Sequence, residues 1–137
     1  MGDTDLIRAI LLDTRRIAVV GASARPERAG NYVFAFLVAR GFDVVGVNPA
    51  MAGQVLHGRP VVGTLAEAGP LDMVDVFRAS DAVAGIVDEA VALGARTVWT
   101  QLGVVDAVAG EVARAAGLRV VMDRCPMVEW RRLGLST

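Results

Sequence analysis

The stretch Ile17–Gly30, IAVVGASARPERAG, carries residue types and a spacing that suit chemistry on a phosphate. An apolar run closes on Gly21-Ala22-Ser23, and Arg25 and Arg28 follow just before a helical segment. Gly21 permits a tight turn at a strand end. Ser23 supplies a hydroxyl and a neighbouring amide. A helix that starts here points its free N–H groups back at the turn, where they attract an anion. The two guanidinium groups add charge-assisted bonds to phosphate oxygens. The same residues also suit a plain strand–helix turn with solvated arginines.

Other reactive residue types stand alone. His57 is the only histidine and lies in the polar stretch QVLHGRP. No second histidine or carboxylate cluster accompanies it at metal-ligand spacing, so it reads as a surface residue and no metal is expected. No serine–histidine–aspartate set can be assembled around it. Cys125 precedes Pro126 at a helix start, flanked by Asp123 and Arg124. Such a thiol can be activated, or it can simply pack the last helix as a small buried residue. Asp72 and Asp75 alternate with apolar residues, Asp72 at a strand start and Asp75 in a position for structural hydrogen bonds. Trp99 reads as core, and Glu129 and Trp130 as packing or capping residues. No catalytic residue is therefore expected.

Composition narrows the classes. The chain has 137 residues, 54% hydrophobic and 21% charged, which suits one folded domain spanning 1–137. The net charge is −1, without the clustered positive charge that nucleic acid requires. All fourteen basic residues are arginine. Lysine-dependent chemistry is thereby excluded, including a Schiff base and a Walker-type phosphate loop. One cysteine, an acidic start without a signal-peptide pattern and no long apolar run lead to the expectation of a cytoplasmic protein that does not contact membranes.

The elements that must position the turn alternate along the chain. Strands are expected at Ile17–Gly21, Asp43–Val47, Met73–Phe77, Thr97–Thr100 and Arg119–Met122. Helices are expected at Asp5–Arg15, Tyr32–Arg40, Asp81–Leu93, Asp106–Ala116 and Pro126–Leu133, with Ser80 or Asp81 capping the third. The stretch NPAMAGQVLHGRPVVG reads as a Gly- and Pro-rich loop with at most a brief strand near Val61, and Leu65–Ala68 as one helical turn. Uniformly apolar strands alternating with helices indicate an α/β fold: a doubly wound, Rossmann-like domain with a five-stranded, mostly parallel sheet and helices on both faces. Right-handed crossovers favour the strand order 3-2-1-4-5. The ligand crevice is then expected at the carboxyl ends of strands 1 and 4. An edge strand or the last helix offers a surface for a homodimer or another protein partner.

Among nucleotides, NAD fits poorly. The G-x-G-x-x-G fingerprint is absent, with Ser23 and Pro26 at two of its positions. An acidic residue about twenty positions after the first glycine should hold the ribose. Asp43 has that spacing, but it begins the second strand, whereas the carboxyl end of that strand carries Asn48-Pro49.

Five blocks in order, IAVVGAS, GFDVVGVNP, VDVFR, VWTQLGV and GLRVVMDRCPMVEW, resemble the small stand-alone CoA-binding domain proteins, themselves similar to the N-terminal domain of the succinyl-CoA synthetase alpha subunit. The resemblance runs from about Ile17 to Trp130. It implies bound coenzyme A or an acyl-CoA. Gly21, Ala22 and Ser23 would cradle the pyrophosphate, with Arg25 and Arg28 neutralising charge. Asn48 and Pro49 would lie by the adenosine, Phe77 and Arg78 would flank the adenine or a phosphate, and Gln101, Leu102 and Gly103 would line the pantetheine path. The synthetase domain has a lysine just after the Asn-Pro pair, where this chain has Ala50-Met51, so an arginine such as Arg78 must read the 3′-phosphate if anything does. The resemblance covers only the synthetase's first domain and implies no ligase activity. It points to a non-catalytic carrier, sensor or partner subunit, with a small NAD(P)-dependent or acyl-CoA-using enzyme as the alternative.

Overall fold

A computed structural model of the protein describes residues 2–135. The strands are β1 (Arg16–Val20), β2 (Asp43–Val47), β3 (Val55–Leu56), β4 (Arg59–Val62), β5 (Met73–Val76), β6 (Thr97–Thr100) and β7 (Arg119–Val121). The helices are α1 (Asp3–Asp13), α2 (Ala29–Ala39), α3 (Val83–Ala92), α4 (Ala107–Ala115) and α5 (Pro126–Arg132). One sheet runs β3-β4-β2-β1-β5-β6-β7. All its neighbours are parallel except the β3–β4 hairpin. No helix of the described residues is long and apolar enough to cross a membrane.

The strands are apolar throughout because both faces of the sheet are covered. Side chains alternate across a strand, so Ala18 and Val20 face one way and Ile17 and Val19 the other. The first pair packs with Val83, Ile86 and Val87 of α3 and Ala109 and Ala113 of α4. The second pair packs with Ile7 and Ile10 of α1, Val33 and Phe34 of α2, and Trp130 of α5. Asp13, at the end of α1, accepts two hydrogen bonds from Arg119 at 2.7 and 2.9 Å, which fastens α1 to β7. The Arg119 hydrogen bond lowers the Asp13 pKa against an opposing burial effect. The Asp72 carboxylate accepts from the amides of Arg15 and Arg16, each at 2.9 Å, and so joins the starts of β1 and β5.

The Rossmann-like α/β class stands, and three expectations are corrected. The sheet has seven strands, not five. Arg59–Val62 was expected as part of a loop, because Gly58, Pro60 and Gly63 punctuate it; pairing of Val61 and Val62 with Gly46 and Val47 makes it a strand. That strand occupies the place beside β2 which the order 3-2-1-4-5 gave to Met73–Val76. The latter pairs with β1 on its other side, so the five expected strands run 2-1-3-4-5. The direction of winding therefore reverses between β1 and β5, one strand short of the expected point, while the loops 22–30 and 101–105 still line one crevice.

Smaller boundaries shift as well. α2 begins at Ala29, not Tyr32, and α3 is preceded by a 3-10 turn at Ser80–Ala82 without a side-chain cap. Ser80 instead accepts a hydrogen bond from the Val105 amide at 2.9 Å. Asp106 does cap α4, accepting from Ala109 N at 3.0 Å.

Asp75 departs furthest from expectation. It is fully buried, and neither carboxyl oxygen has a hydrogen-bond partner among the described residues. Desolvation raises its pKa well above the ordinary 3.8. The folded protein thus holds a proton that the unfolded chain releases near that value, so stability falls as pH rises from there to the folded-state pKa. The Asp75→Asn variant, uncharged at every pH, is expected to melt higher than the wild type at pH 7, by roughly 3–4 °C per kcal/mol recovered. The gap should close as pH falls toward 4. Thermal melts across that range check this, and a gap independent of pH would refute it.

Candidate functional site

The site is built on the turn after β1. Gly21 has φ +96°, and a Cβ there would lie 2.8 Å from the Phe77 carbonyl oxygen at the end of β5. Gly30, in the first turn of α2, is tighter: its Cβ would sit 2.2 Å from the Gly21 carbonyl oxygen. Helix and strand turn are therefore in direct backbone contact. The first turn of α2 has no acidic residue and its N-cap, Arg28, makes no side-chain cap. The Arg28 amide donates to the Arg25 carbonyl and the Asn31 amide to the Arg28 carbonyl, which leaves the amides of Ala29 and Gly30, both in the lining of the crevice, as the open ones of the first turn.

Two asparagines hold the turn. Asn48 Nδ2 donates to the Ala22 carbonyl and Asn31 Nδ2 to the Ser23 carbonyl, both at 2.8 Å. The Ser23 hydroxyl accepts from Arg25 N at 3.1 Å. A trans peptide places N–H opposite C=O, so with the Ser23 carbonyl drawn under α2 the Ala24 amide turns outward. The other end of the Asn48 amide accepts from Ala50 N at 2.9 Å. Asn48 thus acts chiefly as a brace.

Two cavities adjoin at this point. One, of about 500 Å³, is lined by Gly21, Ala22, Ser23, Arg25, Arg28, Gly30, Phe77, Gln101 and Leu102. The other, of about 520 Å³, opens past Pro49 and Ala50 toward Thr64, Leu65, Ile86 and Glu89. Gly21, Asn48 and Arg78 line both. Of the twelve residues expected at the site, the structure brings eleven to one cavity or the other. Gly103 lines neither; it forms a turn with φ +81°, and its amide donates to Asp123 Oδ1 at 2.7 Å.

The ionisable groups in the two linings are Arg25, Arg28, Arg78 and Glu89. Arg25 pairs with Glu27 at 3.2 Å on the surface. Arg28 and Arg78 make no salt bridge among the described residues. Positive charge and helix amides converge on the first cavity, whereas the second is bounded by aliphatic walls, the shared Arg78 and one carboxylate. The arrangement can hold an anion beside an uncharged, flat or apolar group. Gln101 belongs to the first cavity; it is 8% exposed and its Oε1 has no partner among the described residues. Cys125 is buried in the core shared by α1, α2 and α5 and lines neither cavity.

Sequence reasoning missed Asn31 and the wall made by Gly63, Thr64, Leu65, Ile86 and Glu89. Gly63, Thr64 and Leu65 follow β4 and were lost with that strand, whereas Ile86 and Glu89 reach the cavity from α3. A signal for Asn31 existed: it lies three residues before Phe34 on the buried face of α2.

A parallel sheet whose switch-point crevice is roofed by a glycine turn and a helix N-terminus defines a Rossmann-like nucleotide-binding domain. The chain belongs to the CoA binding domain family, which matches residues 15–131. An uncharacterized protein of Bacillus subtilis, YneT, is 36% identical over 120 residues, 87% of each chain. A solved Thermus thermophilus structure, described as cell-free ID.343, is 39% identical, with TM-score 0.89 over 97% of this chain and 99% of its own. A hypothetical protein from Pyrococcus horikoshii OT3 is 34% identical, with TM-score 0.90 over 98% and 94% of the two chains.

The Gly30 contact predicts a contrast between two alanine substitutions. Gly30→Ala drives a methyl group into the Gly21 carbonyl and should cost on the order of 1–3 kcal/mol. Gly85→Ala, in exposed α3 with open space around it, should stabilise by about 0.5–1 kcal/mol. Chemical denaturation of both variants is the check; equal effects would show that α2 does not rest on the turn as described.

Proposed function

We propose that the protein binds coenzyme A or an acyl-CoA at the carboxyl ends of β1 and β5, without catalysis of its own, as a carrier, sensor or partner subunit. The observation that carries this reading is the pair of adjoining cavities hinged on Gly21, Asn48 and Arg78, in a chain of the CoA binding domain family. The pyrophosphate rests on Gly21, Ala22 and Ser23 and the amides that begin α2, with Arg25 and Arg28 beside it. The adenosine enters the cavity past Pro49, against Leu65 and Ile86. Phe77, Gln101 and Leu102 line the path of the pantetheine arm. Arg78, which faces both cavities, takes the 3′-phosphate in place of the lysine that Ala50-Met51 lacks.

The nicotinamide alternative is weakened by Asp43. That carboxylate pairs with Arg16 and Arg59 at the amino end of β2, away from the crevice, and so is not placed to hold a ribose there.

Thermal unfolding with CoA, dephospho-CoA, NAD and ATP tests the reading. A ligand at a hundred times its Kd adds about 2.7 kcal/mol, a rise on the order of several degrees for a chain of this size. CoA is expected to give that rise and dephospho-CoA a smaller one. Arg78→Ala should lower CoA affinity about tenfold, in line with a lost charge-assisted bond, and leave dephospho-CoA affinity unchanged. Equal responses to the two cofactors in the wild type would remove the role given to Arg78. A rise with NAD and none with CoA would overturn the proposal.

A further inference from the structure

His57 breaks a local rule. It and Gly58 are the two central residues of the β3–β4 hairpin, closed by the Leu56–Arg59 pair. Their φ angles are +48° and +78°. A two-residue turn with both φ positive favours Asn-Gly or Asp-Gly; histidine enters the left-handed region more readily than most residues but is not the residue such a turn selects. What the histidine adds is reach. Its Nε2 lies 2.9 Å from Asn31 Oδ1, and its ring packs at 6.0 Å from that of Phe34. Asn31 is 5% exposed, so its polar atoms depend on protein partners. Because Asn31 Nδ2 donates to the Ser23 carbonyl, the atom that meets His57 is an acceptor, and Nε2 must carry the hydrogen.

We propose that His57 is a positioning residue for the anion site: through Asn31 it holds the Ser23 carbonyl inward and so fixes the Gly21–Ser23 turn, which lines the first cavity and on which a bound pyrophosphate would rest. This rests on the CoA reading for its ligand but not for its geometry. A flipped Asn31 would set oxygen against the Ser23 carbonyl, and the bond from His57 favours the productive orientation. The two-residue edge strand β3 and its turn thereby become part of the site, although the histidine lines neither cavity.

Two variants separate this role from simple turn formation. His57→Asn suits the left-handed turn better but is too short to reach Asn31. It should melt at or above the wild-type temperature, yet bind CoA and inorganic pyrophosphate about five- to tenfold more weakly, the range of one lost hydrogen bond. His57→Gln places a donor the same number of bonds from Cα and should recover most of that affinity. In the ligand-free protein, amide hydrogen exchange at Ala24 and Arg25 should be faster in His57→Asn than in wild type. Unchanged exchange, or loss of stability and affinity together without recovery in His57→Gln, overturns the inference. Faster exchange in a protein whose wild type binds neither probe supports the positioning role and refutes the CoA reading instead.

Discussion

The site depends on one close approach. The Gly21 carbonyl lies where a side chain at Gly30 would begin, so α2 can rest on the turn after β1 only because residue 30 has no Cβ. That contact sets the start of the helix above the end of the strand. It directs the leading amides of α2 into the crevice and leaves room for the Ala22–Ser23 peptides to be drawn inward by Asn48 and Asn31. Withdrawing the helix would also break the Asn31–Ser23 bond and the bond from the Ser23 amide to the Gly30 carbonyl, which fasten it to the turn.

The sheet below supplies rigidity and contains the main polar cost. Valine-rich strands covered on both faces leave little freedom for the crevice floor. In register, Val19, Asp75 and Trp99 lie side by side, and Gly21, Phe77 and Gln101 continue the same face at the carboxyl ends. Asp75 is therefore one layer beneath the first cavity, desolvated and without a partner. Trp99 beside it is fully satisfied, its Nε1 donating to the Arg124 carbonyl at 2.8 Å. A carboxyl group that destabilises its own fold at neutral pH, directly under the crevice, is the clearest local conflict in the core.

The misplaced strand shows how a local reading fails in a connected topology. Gly58, Pro60 and Gly63 are breakers by propensity, and four residues provide little periodicity. Pairing to β2 overrides both. With β4 absent from the count, Met73–Val76 took the wrong side of β1, and the switch point was placed between β1 and Thr97–Thr100 instead of between β1 and β5. Eleven of the twelve residues expected at the site nevertheless line one cavity or the other, since the ends of β1, β2, β5 and β6 all open on the same edge of the sheet. Gly103 was the exception, its amide being drawn toward Asp123 instead.

By itself the sequence determined the α/β class, the turn at Gly21–Ser23, the arginines beside it and the family resemblance. Each is a short-range property: apolar strands alternating with helices, a glycine where the backbone must turn, ordered blocks of residues. Only the tertiary structure decided which strands are neighbours, that Leu65, Ile86 and Glu89 wall a second cavity, that Asn31 and Asn48 point inward, and that Asp75 has no partner. These depend on contacts between residues far apart in the chain. His57 joins the two levels: as an isolated residue it carried no signal beyond a surface loop, and its meaning came from a left-handed hairpin that sets it against Asn31, twenty-six positions away.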